Sequence, residues 1–255
     1  MFSNVLTVIA YSLNFALLLL VLSRNLHRRL PVFTVFVFSF VARDVGALFV
    51  NYSPAARSLA WIYFYWTTEF LITGMYLFII AEIAKLFLCD YPSIWRSASR
   101  LLDAVALVFT AWTVYSAFGY VQRPRFYMLI GDQRLLLTVT ILILLVMAIG
   151  AYYRLKLPPL DRLVLVGIGI YAAVQVGANQ IVMQYHLPPT LLWDVLRRGS
   201  FIISTAVWTY GVWRWAGRPA REPELISQSK YEVLSPRIHD RLRALHNKLD
   251  TLIQD

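Results

Sequence analysis

The sequence predicts an all-α membrane protein: a seven-transmembrane-helix bundle followed by a C-terminal amphipathic helix. Three observations carry that prediction. First, 59% of the 255 residues are hydrophobic and only 15% are charged, against about 45–50% and about 25% in soluble domains; the mean hydropathy is +0.59. So much apolar surface does not fit inside one soluble core of this length without large exposed patches, which argues against an ordinary soluble enzyme. Second, the apolar residues gather in runs of about 20, the length that crosses a hydrocarbon layer about 30 Å thick. Third, the net charge of +10 is scattered in short clusters between those runs. A nucleic-acid partner would need the basic residues on one water-facing surface, so none is expected.

The spans read as 4–23, 31–50, 59–88, 101–120, 134–153, 162–185 and 191–214. The first opens Met1-Phe2-Ser3-Asn4 with no basic residue, and Arg24, Arg28 and Arg29 follow it. A secretory signal peptide has its charges first and a small-residue cleavage site last, so a retained helix is expected. The second span starts at Pro31, where the missing N–H of a first-turn proline is no loss. Glu82 and Lys85, spaced i, i+3 near the end of the third, read as a local interfacial pair with the Lys stem snorkelling. Asp103 opens the fourth, where a carboxylate complements the partial charge of a helix N-terminus. Pro158-Pro159 and Pro188-Pro189 punctuate the chain before the sixth and seventh spans. Gly167, Gly169 and Gly177, with Ala172, Ala173 and Ala178, give the sixth helix small residues that let neighbouring backbones approach.

These spans make residues 1–216 the transmembrane domain. Residues 217–235 are polar and proline-interrupted and read as a linker. In 236–255, Ser235-Pro236 forms a helix start, and Ile238, Leu242, Leu245, Leu249 and Leu252 recur at spacings of 4, 3, 4 and 3, a two-heptad seam. With four Lys or Arg against three acids in 236–255, the polar face is mixed rather than cationic. It therefore suits docking on another helix, in this chain, a second copy or a membrane-complex partner, better than lying on a membrane surface.

Orientation follows from the basic residues in the short connections. Seventeen of the 24 Lys and Arg lie at 24–30, 85–100, 154–162 and from Arg214 onward; four lie at the alternate connections. The bias predicts the N-terminus outside and the C-terminus in the cytoplasm, in a bacterial plasma membrane. Trp61, Tyr63, Tyr65 and Trp66 at the outer part of the third span, and Trp208, Tyr210, Trp213 and Trp215 at the inner part of the seventh, suit headgroup depth.

Ionisable side chains inside a span are costly and face the bundle interior with partners. At about 1.5 Å per residue, Arg43 and Asp44 lie roughly 18–20 Å above the inner end of the second helix, and Glu69 roughly 15 Å below the outer end of the third. Tyr171, Gln175 and Asn179 fall at i, i+4 and i+8, one polar stripe on the sixth helix. On the seventh, Arg197 and Arg198 lie about 10 Å below the outer end, with Asp194 a turn above. Four helices thus bring polar groups to one middle-to-outer slab. One reading is a set of buried ion pairs that fixes helix register. The other is a polar cavity open to the outside for a small polar or anionic ligand, with Arg able to grip a carboxylate or phosphate in a bidentate fork.

Several chemistries find no support. The lone Cys89 excludes an intramolecular disulfide. None of His27, His186, His239 and His246 falls within a span, which argues against haem or metal ligation in the bilayer. The seventh span holds no Lys for a Schiff base, and no GxSxG, HExxH, P-loop or GxGxxG pattern occurs. No cofactor and no metal are expected.

The stretches from Pro31-Val-Phe-Thr-Val-Phe through Ala42-Arg43-Asp44, then Tyr63-Phe64-Tyr65-Trp66-Thr67-Thr68-Glu69 and Ile80-Ala81-Glu82-Ile83, resemble an uncharacterised family of small seven-helix membrane proteins common in Acidobacteria and related soil bacteria. The family pattern before Glu82 has a tyrosine where this chain has Ala81. The resemblance implies a topology and adds weight to Arg43, Asp44 and Glu69; it implies no activity. The expected function is a non-enzymatic sensor or receptor-like module in the lipid bilayer. A structural or assembly subunit is the first alternative. The second is a small transporter or channel, against which stands the lack of an internal repeat or paired broken helices.

Overall fold

Four of the helices begin at a proline, whose fixed φ and absent N–H suit the first helical turn. In this computed structural model the described residues are 2–51, 59–89, 91–118, 124–153, 155–184 and 191–216. They form α1 Phe2–Ser23, a single 3₁₀ turn Leu26–Arg28, α2 Pro31–Asn51, α3 Leu59–Leu88, α4 Pro92–Phe118, α5 Pro124–Tyr152, α6 Pro159–Gln184 and α7 Leu191–Trp215, with no strand among them. Asn25, at φ 52°, takes the left-handed conformation that turns α1 into the 3₁₀ segment, one of the few residues besides glycine that tolerates it. The chain divides into two units, Met1–Gly217 and Arg218–Asp255. The tail seam of Ile238, Leu242, Leu245, Leu249 and Leu252 falls in the second unit, outside the described residues.

The starts of α1 and α6 fall two and three residues before the sequence expectation, and two others differ by more: α4 begins at Pro92 rather than 101, and α5 at Pro124 rather than 134. In both cases charged residues at the front of the helix (Arg96 and Arg100; Arg125, Asp132 and Arg134) mimic a connection, because hydropathy alone cannot separate a charged helical turn from a loop. As a result Asp132 and Arg134 lie inside α5.

Among the described residues six helices are long and apolar enough to cross a membrane, through Val5–Ser23, Pro31–Leu48, Thr67–Leu88, Ile94–Ser116, Leu129–Tyr152 and Pro159–Gln184. This is a multi-pass helical membrane protein by composition. α7 is as long as the others, but its polar and aromatic residues keep it below their hydropathy.

The helices close a ring in the order α1, α2, α3, α5, α6, α7 and back to α1. α3 also reaches α4 and α6, while α4 stands outside the ring against α3 and α5 alone. Lipid tails are as apolar as leucine, so burying a methyl gains little in a bilayer and close packing decides instead. Interlocked rings accordingly pack between α2, α3, α6 and α7. Phe36 meets Phe40 at 4.6 Å, Tyr76 at 5.0 Å and Trp208 edge-on at 5.5 Å; Phe40 meets Phe201 at 4.8 Å. Each such pair contributes about 0.5–1.5 kcal/mol beyond simple burial. Exposed Val8, Phe38, Phe78 and Leu107 on the outer faces are then lipid contacts rather than a defect.

One end of the bundle is fastened by two polar links. The Glu82 carboxylate of α3 accepts from the backbone N–H groups of Val32 at 3.0 Å and Phe33 at 3.3 Å. It caps the start of α2, where orphan donors need partners, and this replaces the expected local pair with Lys85. Arg29 donates to both oxygens of buried Asp161 at 3.1 Å, tying the α1–α2 connection to the start of α6.

The α6–α7 contact is the closest in the ring. The Trp208 indole donates to the Val164 carbonyl at 3.1 Å and sets its N–H edge against Gly167, where any Cβ would overlap the indole ring. Gly169 and Gly177 play no such part: a Cβ on Gly169 would just reach Ile143 at 4.0 Å, and one on Gly177 would meet nothing within 4 Å. Gly167→Ala is expected to destabilise by about 1–3 kcal/mol through overpacking, read as a lower unfolding temperature in detergent micelles. Gly177→Ala should leave that temperature unchanged.

Candidate functional site

Glu69 is 2% exposed, which in a bilayer demands that its charge be answered by neighbours. Three helices answer it. Arg43 Nη1 of α2 lies 2.7 Å from Glu69 Oε2; Arg197 Nη2 of α7 lies 2.5 Å from Oε1; and the Tyr171 hydroxyl of α6 donates to Oε1 at 3.1 Å. The guanidinium of Arg43 sits over the Phe40 ring at 5.1 Å and that of Arg197 over Trp193 at 5.2 Å, so each cation rests on an aromatic face as well as beside the carboxylate. Charge-assisted bonds of this kind are about twice as strong as neutral ones.

A second buried carboxylate lies beside this centre. Asp132 of α5 accepts from the Thr73 hydroxyl and from Asn179 Nδ2, each at 3.3 Å, and Asn179 Oδ1 in turn accepts from the Trp193 indole at 3.0 Å. Its donors are neutral. Sequence reasoning missed Asp132 because it lay in a stretch read as a connection. The signal that could have found it is Pro124, a helix start ten residues from 134, the expected beginning.

The remaining expected residues distribute around the two carboxylates. Asp44 turns away from Glu69 and accepts from Asn14 Nδ2 of α1 at 2.7 Å. Arg198 points to α1 and donates to the Thr7 hydroxyl. Gln175 is buried between Tyr171 and Asn179 on the α6 stripe, and its Nε2 has no hydrogen-bond partner; the same holds for Tyr76 Oη of α3 and Ser204 Oγ of α7. The side chain of Asp194 lies outside the described residues. Six helices therefore meet in one polar network, and α4 stays out of it.

Among the described side chains of the slab, Arg43, Arg197 and Arg198 stand against Asp44, Glu69 and Asp132, so the formal charges balance and give no preference for an anion. Both Glu69 oxygens are occupied. Two cavities lie away from this centre, one of about 790 Å³ along α4 between Asp103 and Tyr115 and one of about 610 Å³ between α4, α5 and α6. No group of three or more metal-ligating side chains occurs among the described residues.

Compared with protein-family models, curated proteins and solved structures, the chain matches none.

Breaking a buried ion pair by removing one partner costs about 3–5 kcal/mol, whereas replacing the whole set by apolar groups is often neutral. Glu69→Leu should therefore destabilise by about that amount, and the combination of Glu69→Leu with Arg43→Met and Arg197→Met should recover most of it. Denaturant or thermal unfolding in micelles checks both; equal losses in the single and triple variants would contradict the ion-pair account.

Proposed function

We propose that this chain is a seven-span, non-enzymatic sensor or receptor-like module of a bacterial plasma membrane, N-terminus outside and C-terminus inside, whose core between α3, α6 and α7 takes a small polar ligand. The observation that supports it is the trio of buried polar atoms without partners: Tyr76 Oη, Gln175 Nε2 and Ser204 Oγ. An unpaired buried polar group costs about 1–3 kcal/mol, and in a native structure such a group marks a water, an ion or a ligand. Tyr76 packs on Tyr171 at 5.9 Å and Tyr171 on Phe201 at 6.1 Å. Gln175 is one turn from Tyr171, and Ser204 is one turn from Phe201, so the three residues lie within a helical turn of the same aromatic cluster. The charge balance around Glu69 favours an uncharged polar ligand over an anion. α7 counts as the seventh span because its polar residues Arg197, Ser204 and Thr205 turn into the bundle, where they need no lipid contact.

A ligand that prefers one arrangement of the helices shifts the bundle toward it, and in the sequence α7 is followed by the linker 217–235 and then the apolar seam. A second reading, an assembly subunit whose tail docks on a larger complex, is supported by the full occupancy of the Glu69 oxygens, which makes the cluster self-sufficient. Deleting 236–255 would release partners in that case.

The two readings separate in a thermal-shift panel of uncharged polar solutes, namely sugars, polyols and nucleosides, on the purified protein. The sensor reading expects at least one solute to stabilise the wild type, by about 2.7 kcal/mol at a hundredfold excess over Kd, and to lose that effect in Tyr76→Phe and Gln175→Leu. If no solute acts and both substitutions simply stabilise, the core is structural.

Orientation is testable on the lone cysteine. Cys89 is exposed just beyond the end of α3, and the proposed topology places it in the cytoplasm. A membrane-impermeant maleimide should label it in permeabilised cells and leave it unlabelled in intact ones.

A further inference from the structure

We propose that the cleft between α4, α5 and α6 is a binding site for one anionic phospholipid, held by Arg134 through its phosphate with an acyl chain lying in the groove. The inference stands apart from the ligand core around Glu69. Arg134 lies within the α5 span, where a guanidinium is costly and needs an anionic partner. What it has is neutral: its Cζ sits 4.0 Å above the Trp112 ring, and Nη1 donates to the Ser116 hydroxyl. Among the described residues no carboxylate pairs with it.

The surroundings have the shape and polarity of an amphiphile. The cleft holds about 610 Å³, within the range of small-ligand sites. At one end Arg134 is joined by Gln133 and Gln180, which bond to each other at 2.8 Å and offer remaining amide groups to ester or glycerol oxygens. Farther along, Leu137 and Val176 supply an apolar wall. Gly177 leaves the floor open, since a Cβ there would meet nothing within 4 Å.

Depth decides the occupant. Trp112, Arg134 and Gln180 lie four or five residues inside the ends of their spans at Ser116, Leu129 and Gln184, roughly 6–8 Å along each helix. That is the level at which an aromatic ring and an arginine reach the headgroup region. The abundant anion at that level is a phospholipid phosphate, whose oxygens match the guanidinium fork. Basic pockets between membrane helices recognise anionic headgroups by the same chemistry.

Native mass spectrometry of the purified full-length chain, with equimolar palmitoyl-oleoyl phosphatidylglycerol and phosphatidylcholine, tests the site. The wild type should retain one phosphatidylglycerol with about a tenfold preference, the scale of one charge-assisted anchor. Arg134→Gln should bring the preference near unity. Gly177→Leu, which extends a side chain into open space, should reduce occupancy by either lipid about tenfold at an unchanged unfolding temperature. Equal binding of the two lipids by the wild type, or undiminished binding by Gly177→Leu, overturns the proposal, and the second result decides even if Arg134→Gln does not fold. Displacement of phosphatidylglycerol by an equal concentration of oleate would assign the groove to single-chain carboxylates and overturn it as well.

Discussion

The negative charge on Glu69 is the constraint around which the bundle is arranged. An arginine inside a membrane helix bundle is costly without a partner, and this chain turns Arg43 and Arg197 into its interior. Each is tolerable only where a carboxylate meets it, and Glu69 offers one oxygen to each. α2 and α7 must therefore approach α3 from two sides, and Tyr171 brings α6 to the oxygen shared with Arg197. Asp132 then draws α5 in through Thr73 and Asn179, and Asn14 and Thr7 attach α1 to Asp44 and Arg198. Hydrogen bonds and ion pairs are directional where lipid-phase packing is not, so they fix which helix faces which.

Packing fills the space that those contacts define. α2 and α7 are held apart by Phe33, Phe36, Phe40, Phe201 and Trp208 rather than touching backbone to backbone, and the rings take edge-on or tilted geometries. α6 and α7 do the opposite, closing around Gly167 and Gly211. α4 contributes no residue to the polar network and packs only on α3 and α5. Its separation from α6 leaves the cleft that Arg134 enters.

Much of this was legible in the sequence. Periodic apolar runs gave the helices, and the rarity of charge within them marked Arg43, Glu69, Tyr171 and Arg197, which the structure joins. What the sequence concealed was pairing. Nothing local distinguishes Asp44, which turns to α1, from Arg43 beside it, which turns to α3; the 100° step between neighbours sends them to different helices. Glu82 read as a partner for Lys85 because i, i+3 spacing is visible in one dimension and the start of α2 is not. Asp132 and Arg134 were lost to the boundary of α5, since a charged first turn and a polar connection have the same hydropathy. Pro92 and Pro124 carried the missing information, and composition windows give proline no such weight.

The two ends of the network differ in a way that bears on how a ligand could act. α2 is held to α3 at two points, through Glu82 at its start and Arg43–Glu69 thirteen residues away along α3, roughly 20 Å of helix. Separating these two helices would break charge-assisted bonds at both points. α7 meets that pair through one ion pair, Arg197 to Glu69, and through the rings of Phe201 and Trp208 against α2; Arg198 ties it to α1, and its backbone comes close to α6 at Gly167. The partnerless atoms Tyr76 Oη, Gln175 Nε2 and Ser204 Oγ sit on the two sides of this division: Tyr76 on α3, Gln175 on α6 and Ser204 on α7. A polar molecule that satisfied all three would set the distance between the α2–α3 pair and the α6–α7 pair, and α7 is the helix that continues into the C-terminal segment. Under the sensor reading, that seam between helix pairs is where binding energy would become motion.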